Sequence, residues 1–337
     1  MSTTKLRVAV VGLGNMGRNH VRVLSELPQV ELVGLADPSE ASRKALRFVP
    51  PSARVWAEHR ELLAEARPDA VVVAVPSELH CAVGIDCFEA GAHVLVEKPI
   101  AKTLEDGQAL CDAATRTRKK LMVGQVERFN PAVIELRRRV HAGELGQVFQ
   151  LHARRLSPFP ARIADVGVVL DLATHDIDAM HHVTGSRVVR AYAETARMAH
   201  KTCEDLLSGL LRFESGPIGM LDVSWLSPKK LRELWVVGEG GTFVADYLTQ
   251  DLSWFKNGRV NESYTAATNF SGAVEGDFIR SYIPKKEPLR AELEAFVSSV
   301  LEDGPVPVTG EDGLAAIRVA LDLVASGSSH GVRGLSS

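Results

Sequence analysis

The chain has 337 residues, 45% of them hydrophobic and 24% charged, and carries a formal net charge of −3. That length exceeds one ordinary hydrophobic core and predicts two domains. The near-neutral charge gives no case for binding to nucleic acid or a membrane surface through a basic patch. The run Arg137-Arg138-Arg139 reads as one solvated helix face.

Lys5 to Val11 is a β-branched run, followed by Gly12-Leu13-Gly14-Asn15-Met16-Gly17 and a helical pattern from Arg18 to Leu27. This is G-x-G-x-x-G at a strand-to-helix junction, and Asp37 ends the next strand (Glu31 to Ala36) about twenty residues on. The three glycines permit a tight turn, close approach of backbone to a pyrophosphate, and close helix–strand packing. The helix N-terminus adds unpaired N–H groups and positive dipole. Asp37 is placed to accept hydrogen bonds from ribose hydroxyls and to repel a 2′-phosphate, so NAD is the expected cofactor. Arg43 lies close behind, which leaves NADP use open.

Strand and helix patterns then alternate: Arg54 to Trp56, Glu58 to Ala66, Ala70 to Val75, Leu79 to Ala90, His93 to Val96, Leu104 to Arg116 and Leu121 to Val123. This predicts a Rossmann domain over residues 1–124, a doubly wound parallel sheet. The strand V-L-V ends in Glu97-Lys98-Pro99. Ligands of such sheets bind outside the carboxyl ends of strands, so Lys98 is a candidate for chemistry.

After Gly124 the pattern changes. A helix from Ala132 to about His141 precedes longer alternating strands: Val148 to Leu156, Val188 to Met198, Leu206 to Phe213, Ile218 to Trp225, Leu231 to Gly238 and Gly241 to Tyr247. One helix, Leu170 to Thr184, interrupts them. Residues 125–337 are therefore expected to form an α+β domain with a large, mostly antiparallel open sheet, its C-terminal helices free to pack back on the first domain. An open sheet needs its second apolar face covered, which predicts a homo-oligomer, dimer or tetramer, built through that sheet. Asn261 to Pro284 reads as an irregular loop, Leu289 to Leu301 and Gly313 to Ser326 as amphipathic helices, and Ser328 to Ser337 as a loose tail.

Asp171-Leu172-Ala173-Thr174-His175-Asp176-Ile177-Asp178 is the densest polar cluster of the second half. Asp171 and His175 are four apart and share a face of an α-helix, where an acid can hold an imidazole's tautomer for general acid–base work. Alternatively, the acid caps a helix and the histidine is simply packed. The four cysteines (Cys81, Cys87, Cys111, Cys203) form no C-x-x-C pair, and no set of His, Cys and acidic residues has metal-site spacing. No apolar run approaches the roughly 18 residues a membrane span requires, and Met1 to Leu6 is unlike a signal peptide, so a reduced, cytoplasmic protein is expected, with no metal, membrane or nucleic-acid partner.

Together, the glycine loop with Asp37, the strand ending Glu97-Lys98-Pro99, the D-x-x-x-H helix and the closing Val308 to Gly313 (V-T-G-E-D-G) resemble the Gfo/Idh/MocA oxidoreductases over nearly the whole chain. The resemblance implies a sugar or cyclitol dehydrogenase. Lys98 and His175 would flank the reacting carbinol with Asp171 beside them, Glu97 would contact the nicotinamide ribose, and Pro76 with His80 would lie beside the nicotinamide. Val126 to Pro131 (V-E-R-F-N-P) and Ser157 to Asp178 further resemble the branch that oxidises the 3-hydroxyl of UDP-N-acetylglucosamine. The chain departs from many members before Asp171, where Val168 and Val169 follow Gly167, and at Ala173. A substrate diphosphate would need cationic partners, and Arg128, Arg154, Arg155 and Arg162, with Asn130, are the candidates. His175, ordinarily titrating near ~6.5, suits the base, and Lys98 suits stabilisation of alkoxide charge. The alternatives are an inositol or free-hexose dehydrogenase and, less in keeping with Lys98 and His175, a non-catalytic NAD(H)-binding regulator.

Overall fold

A computed structural model describes residues 5–160, 166–258, 274–329 and 333–334. The chain forms two compact units, residues 1–126 with 287–318, and residues 127–286 with 319–337. The stretch from Glu287 to Arg318 groups with the first unit.

The first unit is built on a parallel sheet of β1 (Leu6–Val11), β2 (Val30–Ala36), β3 (Arg54–Trp56), β4 (Ala70–Val73), β5 (His93–Glu97) and β6 (Leu121–Gly124), in the order β3-β2-β1-β4-β5-β6. Helices α1 (Asn15–Glu26), α2 (Glu40–Lys44), α3 (His59–Ala66), α4 (His80–Glu89) and α5 (Leu104–Thr117) make the crossovers. The central strands read as unbroken apolar runs because both sheet faces are covered: Val8 to Val10 and Ala70 to Val73 are all fully buried. Strand order reverses between β1 and β4, which puts the topological switch point beside the glycine loop.

The second unit starts with α6 (Pro131–His141), capped by the Asn130 side chain on the Ala132 N–H. Its sheet contains β7 (Val148–Leu156), β8 (Val188–Ala196), β9 (Leu206–Phe213), β10 (Ile218–Ser224), β11 (Leu231–Gly238), β12 (Gly241–Asp246), β13 (Asp251–Gly258), β14 (Val274–Ser281) and β15 (Arg333–Gly334). The order is β14-β13-β12-β11-β7-β10-β9-β8-β15, with only β7 and β10 parallel. A π-helical turn, Val169–Ala173, runs into α7 (Thr174–Thr184). α8 (Pro288–Leu301) packs on α1 in the first unit, and α9 (Gly310–Ser329) follows.

Three expectations change. Asp251–Gly258 is a strand where none was expected, and Val274–Ser281, read as loop, pairs with it through Phe255↔Phe278 and Trp254↔Ile279. Polar flanks conceal this hairpin, whose cross-strand aromatic contacts appear only once the two segments are paired; residues 259–273 of the expected loop lie outside the described residues. The tail is not loose throughout, since α9 reaches Ser329 and Arg333 pairs with Ala191. Among the described residues no helix is long and apolar enough to cross a membrane.

Candidate active site

In the first unit the glycine motif divides into a part the fold requires and a part it leaves open. Gly12 sits at φ +91°, and a Cβ there would lie 2.4 Å from the Ala74 carbonyl oxygen. A Cβ on Gly17 would lie 1.8 Å from the Gly12 carbonyl oxygen, so this glycine allows α1 to close on the turn. Gly14 meets no such limit: nothing lies within 4 Å of the place its Cβ would occupy. Gly14, Asn15 and Met16 are exposed while Gly12, Leu13 and Gly17 are buried. The outward half therefore presents bare backbone at the start of α1, whose first turn holds no acidic side chain. That is the arrangement a pyrophosphate requires.

Asp37 closes the loop. Its Oδ2 accepts the Leu13 N–H at 2.7 Å, and its Oδ1 accepts the Ser39 N–H at 2.8 Å. Arg43 donates to the Asp37 and Pro38 carbonyls at 2.6 and 2.9 Å, which anchors a cation close behind the acid.

At the end of β5, Glu97 is buried, and Lys98, which precedes the cis peptide to Pro99, is half-buried. Glu97 Oε1 meets His20 Nε2 at 2.7 Å, and Oε2 accepts the Lys98 N–H at 3.2 Å. Burial pushes the Glu97 carboxyl up, but the His20 hydrogen bond and the nearby Lys98 charge outweigh it and hold the group below its ordinary range. His80 is buried with Nδ1 at 2.9 Å from the Pro99 carbonyl and Nε2 at 2.9 Å from the Val75 carbonyl. Both ring nitrogens are thus engaged, so His80 ties the ends of β4 and β5 together and has no free nitrogen for a cofactor. Burial keeps its pKa below the ordinary histidine value. Pro76 is exposed at the start of the short 3-10 turn Ser77–Leu79.

In the second unit Asp171 and His175 are both half-buried. The shared-face argument assumed α-geometry, whereas Asp171 lies in the π-turn, closed by the Thr174 N–H on the Val169 carbonyl. The wider turn changes the phase between the two side chains, and such turns recur at functional sites. Asp176 and Asp178, next along α7, serve the fold. Arg155 clasps Asp176 through Nε (2.7 Å) and Nη2 (3.0 Å) and reaches Glu127 at 3.1 Å. Arg128 clasps Asp178 at 2.7 and 2.6 Å. Asn130 donates to the Tyr247 carbonyl at 3.0 Å. Burial alone would lower the Arg155 pKa, but the charges of Asp176 and Glu127 dominate and keep the guanidinium ionised.

Three of the expected substrate ligands, Arg128, Asn130 and Arg155, are therefore engaged internally. A buried carboxylate needs a bidentate partner, and α7 takes its partners from these residues. Arg162 lies outside the described residues. Arg154 remains half-exposed, with Asp222 at 3.5 Å. Two cations the motif reading passed over stand near this cluster: Arg232, which feels the Asp171 charge, and Lys230, which Arg232 repels. Burial and the neighbouring Arg155 lower the Arg232 pKa. Their sequence signal was Lys229-Lys230-Leu231-Arg232 at a strand start. His20, missed as well, was marked only by its place one turn after Gly17. Among the described residues no group of His, Cys and acidic side chains could hold a metal ion.

Comparison with known proteins adds to this geometry. Residues 6–125 match the family model for the NAD-binding Rossmann fold of the Gfo/Idh/MocA oxidoreductases, and residues 133–244 match a C-terminal domain model of the same family. The chain is 30% identical to inositol 2-dehydrogenase 2 of Saccharopolyspora erythraea over 96% of its own length and 94% of the relative's. It is 28% identical to UDP-N-acetylglucosamine 3-dehydrogenase of Acidithiobacillus ferrooxidans over 94% and 96%. A solved structure of that second enzyme superposes with a TM-score of 0.82 at 26% identity, covering 96% of this chain and 98% of the other. With a glycine loop shaped for a dinucleotide, an acid closing it and both domain models matched in order, this chain belongs to the Gfo/Idh/MocA family of NAD-binding oxidoreductases.

Proposed function

We propose that the protein is an NAD-dependent dehydrogenase that oxidises a secondary hydroxyl of a sugar, with the 3-hydroxyl of UDP-N-acetylglucosamine as the preferred substrate. The observation that carries the reaction class is Lys98, held by its backbone N–H on a buried carboxylate at the end of β5, in a family member that also keeps Asp171 and His175. Bound NAD supplies the hydride acceptor; the chain binds, orients and handles the proton. Lys98 places positive charge where the substrate oxygen becomes an alkoxide. His175 removes the hydroxyl proton, and Asp171 orients the imidazole. Similarity to the sugar-nucleotide dehydrogenase over both whole chains supports the substrate, as do Arg154, Lys230 and Arg232, cations suited to a diphosphate. The inositol dehydrogenase at 30% identity favours a second reading, oxidation of a cyclitol. Initial rates with UDP-N-acetylglucosamine, myo-inositol and glucose at equal NAD, with a ketone trap, decide between them. A higher kcat/KM for inositol would displace the first reading.

Cofactor choice is assigned to Asp37. Asp37→Ser removes a charged acceptor and leaves Arg43 free of a neighbouring carboxylate. Loss of one charged hydrogen bond is worth about 1.5–3 kcal/mol, so kcat/KM for NAD should fall roughly 10- to 100-fold while NADP use rises. Parallel steady-state assays with the two cofactors test this, and an unchanged NAD/NADP ratio would refute the role.

The second unit is assigned to self-association. One cross-strand row on the exposed face of its sheet reads Leu210, Met220, His152, Trp235 and Val244. Trp235 stacks on Phe255, which packs on Phe278. Phe278 is 59% exposed, and an apolar face of this kind is a self-association surface. Trp235→Glu combined with Phe278→Glu should convert a dimer or tetramer into a monomer in sedimentation experiments; an unaltered sedimentation coefficient would exclude this surface.

A further inference from the structure

The first unit buries a carboxyl for which the dehydrogenase chemistry has no use. Glu292, on α8, is fully buried, and neither of its carboxyl oxygens has a hydrogen-bond partner among the described residues. On α1, which α8 packs against, His20 is equally buried; its Nε2 meets Glu97 at 2.7 Å, and its Nδ1 has no partner among the described residues. The ion pairs Arg22–Glu287 and Arg290–Glu26 tie the outer sides of the two helices, which leaves His20 and Glu292 on the inner sides. Burial first, and then the charge of Glu97, pushes the Glu292 carboxyl well above its ordinary range.

The hydrogens can be placed from the chemistry of the groups. An ionised Glu97 only accepts, so the hydrogen of this contact sits on His20 Nε2. A ring with its hydrogen on Nε2 offers a bare lone pair at Nδ1, and a protonated Glu292 offers an O–H. Each unsatisfied atom is the complement of the other.

We propose that Glu292, His20 and Glu97 form a buried proton relay behind the Glu97-Lys98-Pro99 strand end. In it Glu292 holds the proton, joined to Nδ1 through one bridging water, and acts as a positioning residue for Lys98. Transfer of the Glu292 proton to Nδ1, with the Nε2 hydrogen passing to Glu97, moves one proton across the imidazole without changing the total charge. The negative charge then shifts between Glu97, which accepts the Lys98 N–H, and Glu292 beneath α8. The remaining groups facing the relay are His80 from α4 and Lys98 beyond β5, with Arg22, Glu26, Glu287 and Arg290 outside it. The consequence for catalysis rests on the role proposed above for Lys98.

The test uses the full-length protein. Without substrate, the infrared spectrum at neutral pH should contain the C=O stretch of a buried protonated carboxyl that Glu292→Gln removes. Nitrogen-15 NMR should show His20 with its hydrogen on Nε2 and a bare, hydrogen-bonded Nδ1. Glu292→Gln should keep KM for NAD and move the acid limb of the kcat–pH profile by about one unit, as expected of a coupled group. An ionised Glu292, a hydrogen resident on His20 Nδ1, or a superimposable pH profile each overturns the relay. If Glu292→Gln does not fold, the His20 tautomer in the unaltered protein decides. Failure to turn over any sugar would defeat the dehydrogenase reading and leave the two spectra to judge the relay.

Discussion

Lys98→Met and His175→Ala should each lower turnover by about 10²–10⁴-fold while leaving NAD affinity within a few-fold of the parent. Lys98→Met keeps most of the aliphatic stem and removes only the charge, so the β5 end should keep its packing. The backbone N–H of residue 98 can still donate to Glu97, as it does at 3.2 Å in the parent. On the proposed mechanism, what is lost is the cation opposite a developing alkoxide, an interaction that would strengthen in the transition state and so act on kcat more than on KM. If His175 is the proton acceptor, as proposed, the residual rate of His175→Ala should rise with pH as hydroxide takes over, and added imidazole should restore part of it. Fluorescence titration with NADH and single-turnover hydride transfer separate binding from chemistry. Near-parental rates in both variants would show that neither residue takes part.

The largest loss of stability is expected from Arg155→Ala. Arg155 is 1% exposed and neutralises Asp176 while also touching Glu127, both of which are buried too. Removing it strips Asp176 of its bidentate partner and leaves Glu127 with Arg232 at 3.8 Å, a cost of about 3–5 kcal/mol in a dry interior. Breaking the exposed Lys44–Glu40 pair should cost at most about 1 kcal/mol. Because the penalty comes from the stranded charge, Arg155→Met combined with Asp176→Leu should recover a large part of the loss. Urea unfolding of the four proteins checks this. If Arg155→Ala is no worse than the exposed control, the network contributes only geometry.

Much of this molecule is legible in local pattern. The apolar runs of β1, β4 and β5, the glycines at the first turn and Asp37 about twenty residues on are dictated by short-range constraints. A parallel strand must be apolar on both faces, and Gly17 must lack a Cβ because the Gly12 carbonyl occupies its place. Long alternating strands likewise announced most of the second sheet. The hairpin of β13 and β14 was not announced, because Phe255, Phe278 and Ile279 are exposed and its polar flanks read as loop.

The chain's own order of residues determined the Rossmann unit, the dinucleotide loop and the position of Lys98 at a strand end, since each depends on neighbours a few residues away. Tertiary structure decided the fate of the charged groups. Arg128 and Arg155 looked like substrate cations in V-E-R-F-N-P and along β7, yet each meets a carboxylate on α7, 50 and 21 residues away. Glu292 is by residue type an ordinary helix acid, and it is the packing of α8 on α1 that accompanies its burial. A charge is read from its residue type, but its role depends on which opposite charge, or none, the fold places against it once water is removed.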